Sequence, residues 1–165
     1  MQPGQRVPMD VERYARRSRA GGCFICAMLA GDPRFRHHLL YEDEHTVAFL
    51  NRYPTLLGYS LVAPRRHLES WVRDLTDAEF HAFQTVVRTV AVALEAVLPT
   101  ERMYSLSLGS REGNAHLHWH LAPLPPGVPY EQQQYHALMA EHGVLDVTDR
   151  QQAELAARIR RAFAG

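Results

Sequence analysis

The sequence predicts an α+β fold, an antiparallel sheet of about five strands with a long central helix and C-terminal helices. Two β-rich runs precede a strongly patterned helix, a second hairpin follows it, and two more helices end the chain. Strand runs that follow one another across short turns favour antiparallel pairing. Because 165 residues suit one domain, we expect a leader over residues 1–20 and a single domain over 21–165. We expect a C-terminal helical extension of that domain from about residue 127.

Charge and hydropathy exclude several classes of partner. The 18 basic residues, all arginine, balance 18 acidic ones, so the sequence predicts neither a nucleic-acid nor a membrane surface. No run is long and apolar enough for a membrane span, and the N-terminus lacks the apolar core of a secretory signal. We therefore expect a cytoplasmic protein, in which Cys23 and Cys26 would stay reduced and indicate a metal site or a redox pair.

The first elements are short. The leader contains five arginines and few large apolar groups, so we expect it to be mobile or to form a short amphipathic helix over residues 11–19. The stretch "CFICAMLAG" predicts one or two helical turns that end near Pro33. The runs "LLYEDEHTVAFLN" and "GYSLVAPRRH" predict an antiparallel pair around the turn "RYPTLLG".

The central helix carries the clearest pattern in the chain. Thr76 and Glu79 have the spacing of a capping box, and Pro99 ends the run. A single apolar stripe lies between them, which predicts that this helix packs on the core. The stripe consists of Phe80, Phe83, Val87, Val90, Leu94 and Val97.

A second hairpin and two helices complete the order. The runs "RMYSLSLGS" and "AHLHWHLAP" predict strands around a glycine-containing turn. The prolines of "LPPGVP" exclude regular structure there. Helices are expected over about 130–142 and 148–163.

Three histidines alternate with apolar residues in the second of these strands. On a strand, His116, His118 and His120 would project from one face while Leu117 and Trp119 face the other. Clustered imidazoles favour a functional site over a solvated strand. They suit either a zinc or iron site or nucleophilic and acid–base chemistry at phosphorus.

The stretch "HLHWHLAP" resembles the His-x-His-x-His-x-x signature of the histidine-triad (HIT) family of nucleotide hydrolases and transferases. Upstream, "CFIC" resembles the Cys-x-x-Cys of the zinc-containing members. The block "YEDEHTVAFLNRYPTLLGYSLVAPRRHLESW" resembles the strands before their central helix. The likeness spans about residues 23–123 and implies a HIT-like fold of the zinc-containing bacterial type.

The resemblance implies a catalytic role for each histidine of the triplet. His118 would be the nucleophile that attacks the α-phosphorus, with its far nitrogen held by an acceptor such as a backbone carbonyl. His120 would stabilise charge or protonate the leaving group. His116 would be the remaining catalytic member.

The resemblance also implies a structural zinc, with no catalytic metal required. Its ligands would be Cys23, Cys26, His67 and His116. The alternative is a buried pair of cysteines, and His37 and His38 are rival ligands, although a solvated loop suits those two better.

Candidate nucleotide-binding residues follow from the same family. Asn51 would bind the ribose hydroxyls or, as an alternative, serve only as a turn residue. Ser107 and Asn114 would bind phosphate oxygens. Where many relatives have a Gly-His pair on the second strand, this chain has Gly58 and Tyr59, so handling of the leaving group would differ.

The function implied is hydrolysis or nucleotidyl transfer at the α-phosphate. The substrate would be a nucleoside phosphoramidate, a dinucleoside polyphosphate or a nucleotide conjugate, cleaved through a nucleotidyl-histidine intermediate. A non-catalytic nucleotide-binding protein and a metalloenzyme that uses all three histidines as ligands are the alternatives. The family implies a homodimer through the central helix and the adjoining strand, and we expect nucleic acid not to be a partner.

Overall fold

The computed structural model describes residues 5–111 and 113–163. Residues 1–4 of the expected leader and the last two residues of the expected domain lie outside this range. The strands are β1 (Arg6–Val7), β2 (Leu39–Glu42), β3 (Thr46–Leu50), β4 (Ser60–Pro64), β5 (Arg102–Ser107), β6 (Trp119–Leu124) and β7 (Val144–Leu145). The α-helices are α1 (Val11–Ala20), α2 (Phe24–Leu29), α3 (Asp77–Val97), α4 (Tyr135–Leu138) and α5 (Asp149–Ala162).

An antiparallel sheet of five strands, in the order β2-β3-β4-β6-β5, forms the centre of the protein. The α+β class, the five-stranded sheet and the long central helix are thus confirmed. Strands β3 and β4 pair in continuous register from Thr46 opposite Pro64 to Leu50 opposite Ser60. Both are fully buried, because elements cover both faces of the sheet at this point.

The run that was predicted as one strand from Leu39 is two strands, β2 and β3. The carboxylate of Asp43 accepts the backbone N–H groups of His45 and Thr46 at 2.8 and 2.7 Å. This side chain fixes a tight turn inside the run. The chain therefore reverses there, and β2 becomes the edge strand beside β3.

Helix α3 has the predicted cap and the predicted buried face. Thr76 and Glu79 form both halves of the capping box. Helix α5 packs against α3, and its own capping box is formed by Thr148 and Gln151. The residues that α3 buries are Phe83, Val87, Val90, Ala93 and Leu94.

The histidine-containing strand begins later than predicted. Strand β6 starts at Trp119, so His116 and His118 lie in the irregular segment before it. The N–H of Leu117 donates to the carbonyl of Leu68 at 2.6 Å, and the β5–β6 ladder ends at Trp119 opposite Ser107. The backbone of the approach segment is thus bonded to the loop after β4, and the β5–β6 backbone ladder does not extend into it.

The helix expected over residues 130–142 is broken. In its place are a 3₁₀ turn over Tyr130–Gln132, the short helix α4 and a second 3₁₀ turn over Ala140–His142. Gln134, just before α4, has a φ of 53°, in a region that does not continue a helix. The second expected helix, over 148–163, is confirmed as α5.

The leader is attached at its start to the C-terminal segment. Strand β1 pairs antiparallel with β7. The guanidinium of Arg6 donates to four backbone carbonyls, those of Thr55, Ala137, His142 and Gly143, at 3.0 to 3.4 Å. Helix α1 follows, with Asp10 as its N-cap. Of the helices in the described residues, none has the length and apolar character needed to cross a membrane.

Candidate active site and metal centre

His118 is buried with one ring nitrogen engaged and, among the described residues, no hydrogen-bond partner at the other. Its Nδ1 lies 2.6 Å from the carbonyl oxygen of His116. Because a carbonyl only accepts, Nδ1–H donates and Nε2 keeps its lone pair. This is the backbone acceptor expected from the sequence. Burial lowers the pKa of His118 below its ordinary value, so the imidazole is neutral near pH 7.

His120 lies beside His118, with ring centroids 4.7 Å apart. Its Nδ1 is 3.1 Å from the hydroxyl of Tyr59, and its Nε2 is buried without a partner among the described residues. Burial and the neighbouring His118 lower the pKa of His120 to about 3. Burial raises the pKa of Tyr59 to about 12. The pair therefore consists of a neutral phenol and a neutral imidazole.

His116 faces a different site from the other two histidines, which corrects the prediction that all three project together. Its ring lies 4.7 Å from that of His67, and its Nδ1 lies 3.3 Å from Sγ of Cys23 and 3.6 Å from Sγ of Cys26. Its Nε2–H donates to the carbonyl of Pro64 at 2.8 Å. The physical reason is the irregular backbone before Trp119, in which strand alternation does not apply.

Cys23, Cys26, His67 and His116 form a cluster whose ligand atoms all lie within 4.8 Å of one another. A tetrahedral zinc ion with ordinary bond lengths would separate sulfur and nitrogen ligands by about 3.6 Å. Three of the four Sγ–Nδ1 distances in the cluster are 3.3, 3.3 and 3.6 Å. The donor set and its spacing therefore fit such an ion.

Two further observations concern the chemistry of this cluster. Burial and the neighbouring Cys23 thiol raise the pKa of Cys26 to about 11, so a cation is needed to stabilise the thiolate at neutral pH. The rival ligands are engaged elsewhere. His37 donates to the carbonyl of Phe35 at 2.6 Å, and His38 pairs with Asp149 at 2.8 Å.

A cavity of about 200 Å³ opens in front of His118 and His120. Asn51 and Asn114 both line it. Asn51 also serves the turn role, since its Oδ1 accepts the N–H of Tyr53 at 2.9 Å. That bond leaves its amide N–H groups for a ligand.

Ser107 does not line this cavity. Its hydroxyl donates to the carbonyl of His118 at 3.0 Å, and it borders a separate open depression beside Trp71. Trp119 packs with Phe83 and Phe80, at centroid distances of 5.6 and 6.4 Å. The indole thus belongs to the core side of the sheet.

Sequence reasoning missed the residues that the leader brings to this cavity. Tyr14, Arg17 and Ser18 of α1 line it, and so do Arg34 and Arg52. The available signal was Asp10, an N-cap residue directly before the arginine-rich stretch. That signal favours a helix but says nothing about where the helix packs.

The fold and site define a class of protein in which a five-stranded antiparallel sheet presents a buried histidine pair to a cavity beside a Cys-x-x-Cys/His/His cluster. The HIT domain family matches residues 33–126, and the chain belongs to this family. "Protein hit" of Bacillus subtilis is 31% identical over 111 residues, 64% of this chain and 72% of that protein. An uncharacterized HIT-like protein of Mycobacterium tuberculosis is 32% identical over 109 residues, 63% of this chain and 71% of the other.

Solved structures show the same fold. A hypothetical histidine triad nucleotide-binding protein of Sulfolobus tokodaii superposes with a TM-score of 0.69 at 23% identity, over 86% of this chain and 92% of the other. A zinc-bound histidine triad family protein of Mycobacterium smegmatis gives 0.67 at 22% identity, over 87% and 94%. The diadenosine triphosphate hydrolase of Plasmodium falciparum gives 0.59 at 15% identity, over 77% and 76%.

Proposed function

We propose that this protein cleaves nucleotides at the α-phosphate through a covalent nucleotidyl-histidine. The observation that carries the proposal is the bond from Nδ1–H of His118 to the carbonyl of His116 at 2.6 Å. It fixes the tautomer in which Nε2 is the nucleophile. The same residue lines the cavity, so a phosphorus atom bound there would meet a prepared lone pair.

The reaction would proceed in two displacements. In the first, Nε2 of His118 forms a bond to the α-phosphorus, and the bond from phosphorus to the leaving group breaks. His120, whose Nε2 has no protein partner among the described residues, would stabilise the leaving group or give it a proton. In the second, water attacks the phosphorus, the bond from phosphorus to Nε2 breaks, and the nucleoside monophosphate leaves with His118 restored. If another acceptor attacks instead, the nucleotidyl group leaves bonded to that acceptor.

The binding roles are assigned to residues that border the same cavity. Asn51 would hold the ribose hydroxyls with its amide N–H groups, and Asn114 would reach phosphate oxygens, since both line the cavity. Ser107 would act indirectly, because its hydroxyl holds the backbone of His118. His116 would contribute through its carbonyl.

We further propose that the Cys23, Cys26, His67 and His116 cluster holds a structural zinc ion. A zinc ion bound there would supply a cross-link between the end of the leader, the loop after β4 and the segment before β6. The hydrogen bond from Nε2–H of His116 to the carbonyl of Pro64 supports this assignment, because a backbone acceptor orients the ring so that Nδ1 faces the ion. The alternative of a metalloenzyme with three histidine ligands has less support, since the donor group found among the described residues leaves out His118 and His120.

A homodimer is proposed on the exposure of two features. Strand β5 is an edge of the five-stranded sheet, and Val92 on α3 is 53% exposed. An unpaired strand edge is a template for pairing with another chain, and Val92 lies on the central helix through which the family resemblance implies pairing. Light scattering on the purified protein would give twice the chain mass if this is correct, and the chain mass if it is not.

The test of the catalytic proposal measures release of nucleoside monophosphate from an adenosine phosphoramidate and from diadenosine polyphosphates. His118→Ala should lower kcat by about 10³-fold or more, while His81→Ala, at an exposed position on α3, should match the wild type. Activity should survive a brief treatment with chelator. If wild type and His118→Ala release product equally, the histidine-nucleophile mechanism is wrong. If both bind nucleotide and release none, the protein is a nucleotide-binding module.

A further inference from the structure

The leader is fixed at both ends around the candidate active site. At its start, β1 pairs with β7 and the Arg6 guanidinium binds four backbone carbonyls. Three residues after its end, Cys23 caps α2 with its Sγ and lies 3.3 Å from Nδ1 of His116. Helix α1 is held between these two attachments, and its position over the cavity is therefore part of the fold.

Helix α1 contacts both walls of the cavity. The ring of Tyr14 meets the ring of Tyr53 edge to face, with centroids 5.9 Å apart at 80°, and Tyr53 follows Asn51 in the same turn. On the other wall, a methyl group added to Gly113 would lie 3.4 Å from atoms of Ser18. A ligand between Asn51 and the turn before the histidines would therefore lie against α1.

The described wall of this cavity has positively charged side chains and no negatively charged ones. Arg17, Arg34 and Arg52 line it, and the described residues of its wall include no aspartate or glutamate. Arginine binds phosphate oxygens through paired N–H groups. An excess of cations in a partly enclosed site favours an anion with more than one negative charge.

Of these arginines, two are engaged by the protein. Arg34 binds the carboxylate of Asp32 through Nε and a terminal nitrogen, the shortest distance being 2.7 Å. Arg52 donates to the carbonyl of Arg34 at 3.1 Å. The guanidinium of Arg17 has neither a hydrogen bond nor an ion pair within residues 5–111 and 113–163, and the residue is exposed. Arg17 is thus the cation at the mouth that a ligand can recruit without breaking an existing bond.

We propose that Arg17 binds the phosphates beyond the α-phosphate and sets the substrate class as nucleotides whose leaving group is a phosphate chain. This inference rests on the proposed function, since it places the α-phosphate at His118. A phosphoramidate with a neutral amine as leaving group offers Arg17 no second charge. A dinucleoside polyphosphate or a nucleoside triphosphate does.

The kinetic test compares Arg17→Gln in the full chain with Arg13→Gln. The control removes the same charge from the same helix at an exposed position that does not line the cavity. Arg17→Gln should lower kcat/KM for diadenosine tetraphosphate by about tenfold and leave adenosine phosphoramidate within about twofold. Arg13→Gln should leave both values unchanged, and Arg17→Lys should keep most of the preference because it keeps the charge.

A binding test separates this inference from the catalytic proposal. In a His118→Ala background, calorimetry with AMP and with ATP gives the ratio of their affinities. Arg17→Gln should reduce the ATP-to-AMP ratio by about tenfold, and the effect should shrink at high salt.

Each outcome of the binding test is decisive. An unchanged ratio overturns the role of Arg17 even if turnover depends on His118. A reduced ratio, together with no turnover by the protein that keeps His118, supports the Arg17 site and overturns the catalytic proposal. If neither AMP nor ATP binds, both the Arg17 site and the catalytic proposal are wrong.

Discussion

The phenol of Tyr59 lies 3.1 Å from Nδ1 of His120, and both side chains are largely buried. A phenol with a pKa of about 12 keeps its proton, and its O–H can donate a hydrogen bond to Nδ1, an arrangement that places the imidazole proton on Nε2. Tyr59 thereby selects the tautomer of His120 that can donate toward a leaving group. The imidazole of His120 is thus held by a group that does not titrate near pH 7.

Tyr59→Phe should therefore lower kcat by about tenfold and leave KM nearly unchanged. The change removes one buried hydrogen bond, worth about 1–1.5 kcal/mol, at a residue that does not line the cavity. Steady-state kinetics on a phosphoramidate would measure it. Tyr104→Phe is the matched control, because that hydroxyl accepts the N–H of Gln134 at 2.9 Å in the C-terminal segment. An equal loss in both variants would indicate a general effect on folding.

The buried His120 should make the protein less stable in acid. Its pKa is about 3 in the folded protein and about 6.5 in the unfolded chain. Between these values the unfolded chain binds more protons, so the free energy of unfolding falls as the pH drops below about 6.5. At pH 5 this one group accounts for a loss of about 2 kcal/mol.

Urea denaturation of wild type and His120→Gln at pH 7.5 and pH 5 would measure this loss. Between pH 7.5 and pH 5, the free energy of unfolding should fall by about 2 kcal/mol less in His120→Gln than in the wild type. His81→Gln, at an exposed site on α3, should behave as the wild type. Identical acid losses in wild type and His120→Gln would contradict the assignment.

Metal content should depend on His67 and not on His38. We expect about one zinc ion per chain in the purified protein, almost none in His67→Ala, and a lower Tm for that variant because the ion joins distant segments. His38→Ala is the control, because His38 was a rival candidate for the metal and instead pairs with Asp149. Elemental analysis and thermal denaturation would show both results. Full zinc occupancy in His67→Ala would exclude the cluster as the binding site.

Two glycines with the same backbone conformation should differ in their tolerance of alanine. Gly31 and Gly58 both have a φ of +81°. Around Gly31 a methyl group would meet no atom within 4 Å, whereas at Gly58 it would overlap Cδ1 of Leu98. Gly31→Ala should cost about 1 kcal/mol for the left-handed conformation alone.

Gly58→Ala should cost about 1–3 kcal/mol more, because the core must also move. Denaturant titration of the two variants separates the conformational cost from the steric one. Equal losses would mean that Leu98 rearranges freely.

Local signals predicted the elements that local interactions determine. The capping box of Thr76 and Glu79 located the start of α3 correctly, and the second capping box, with Thr148, precedes α5. The turn at Asp43 was missed because hydropathy stays high on both sides of it, although its side chain bonds were local. The predicted helix is interrupted at Gln134, whose φ is positive. Glutamine favours helices, so its residue type did not predict this conformation.

The part of the candidate site that the family resemblance implied residue by residue was predictable from the sequence. The four-residue cluster at Cys23 was found as expected, whereas the position of His116 away from His118 depended on an irregular backbone. The contribution of α1 was beyond reach, since β1 and β7 are two residues each and pair across most of the chain. Pairs that short carry no periodicity.

The bonds from Arg6 to His142 and Gly143 span 136 and 137 residues. During synthesis the first segment of the chain therefore emerges long before its partners exist. The sheet and α3 have their sequences complete before β7 is made, and contacts of such long separation form late. The pairing of β1 with β7 thus waits until the ribosome has added the C-terminal residues, and until then α1 is held over the cavity by contacts such as that of Tyr14 with Tyr53.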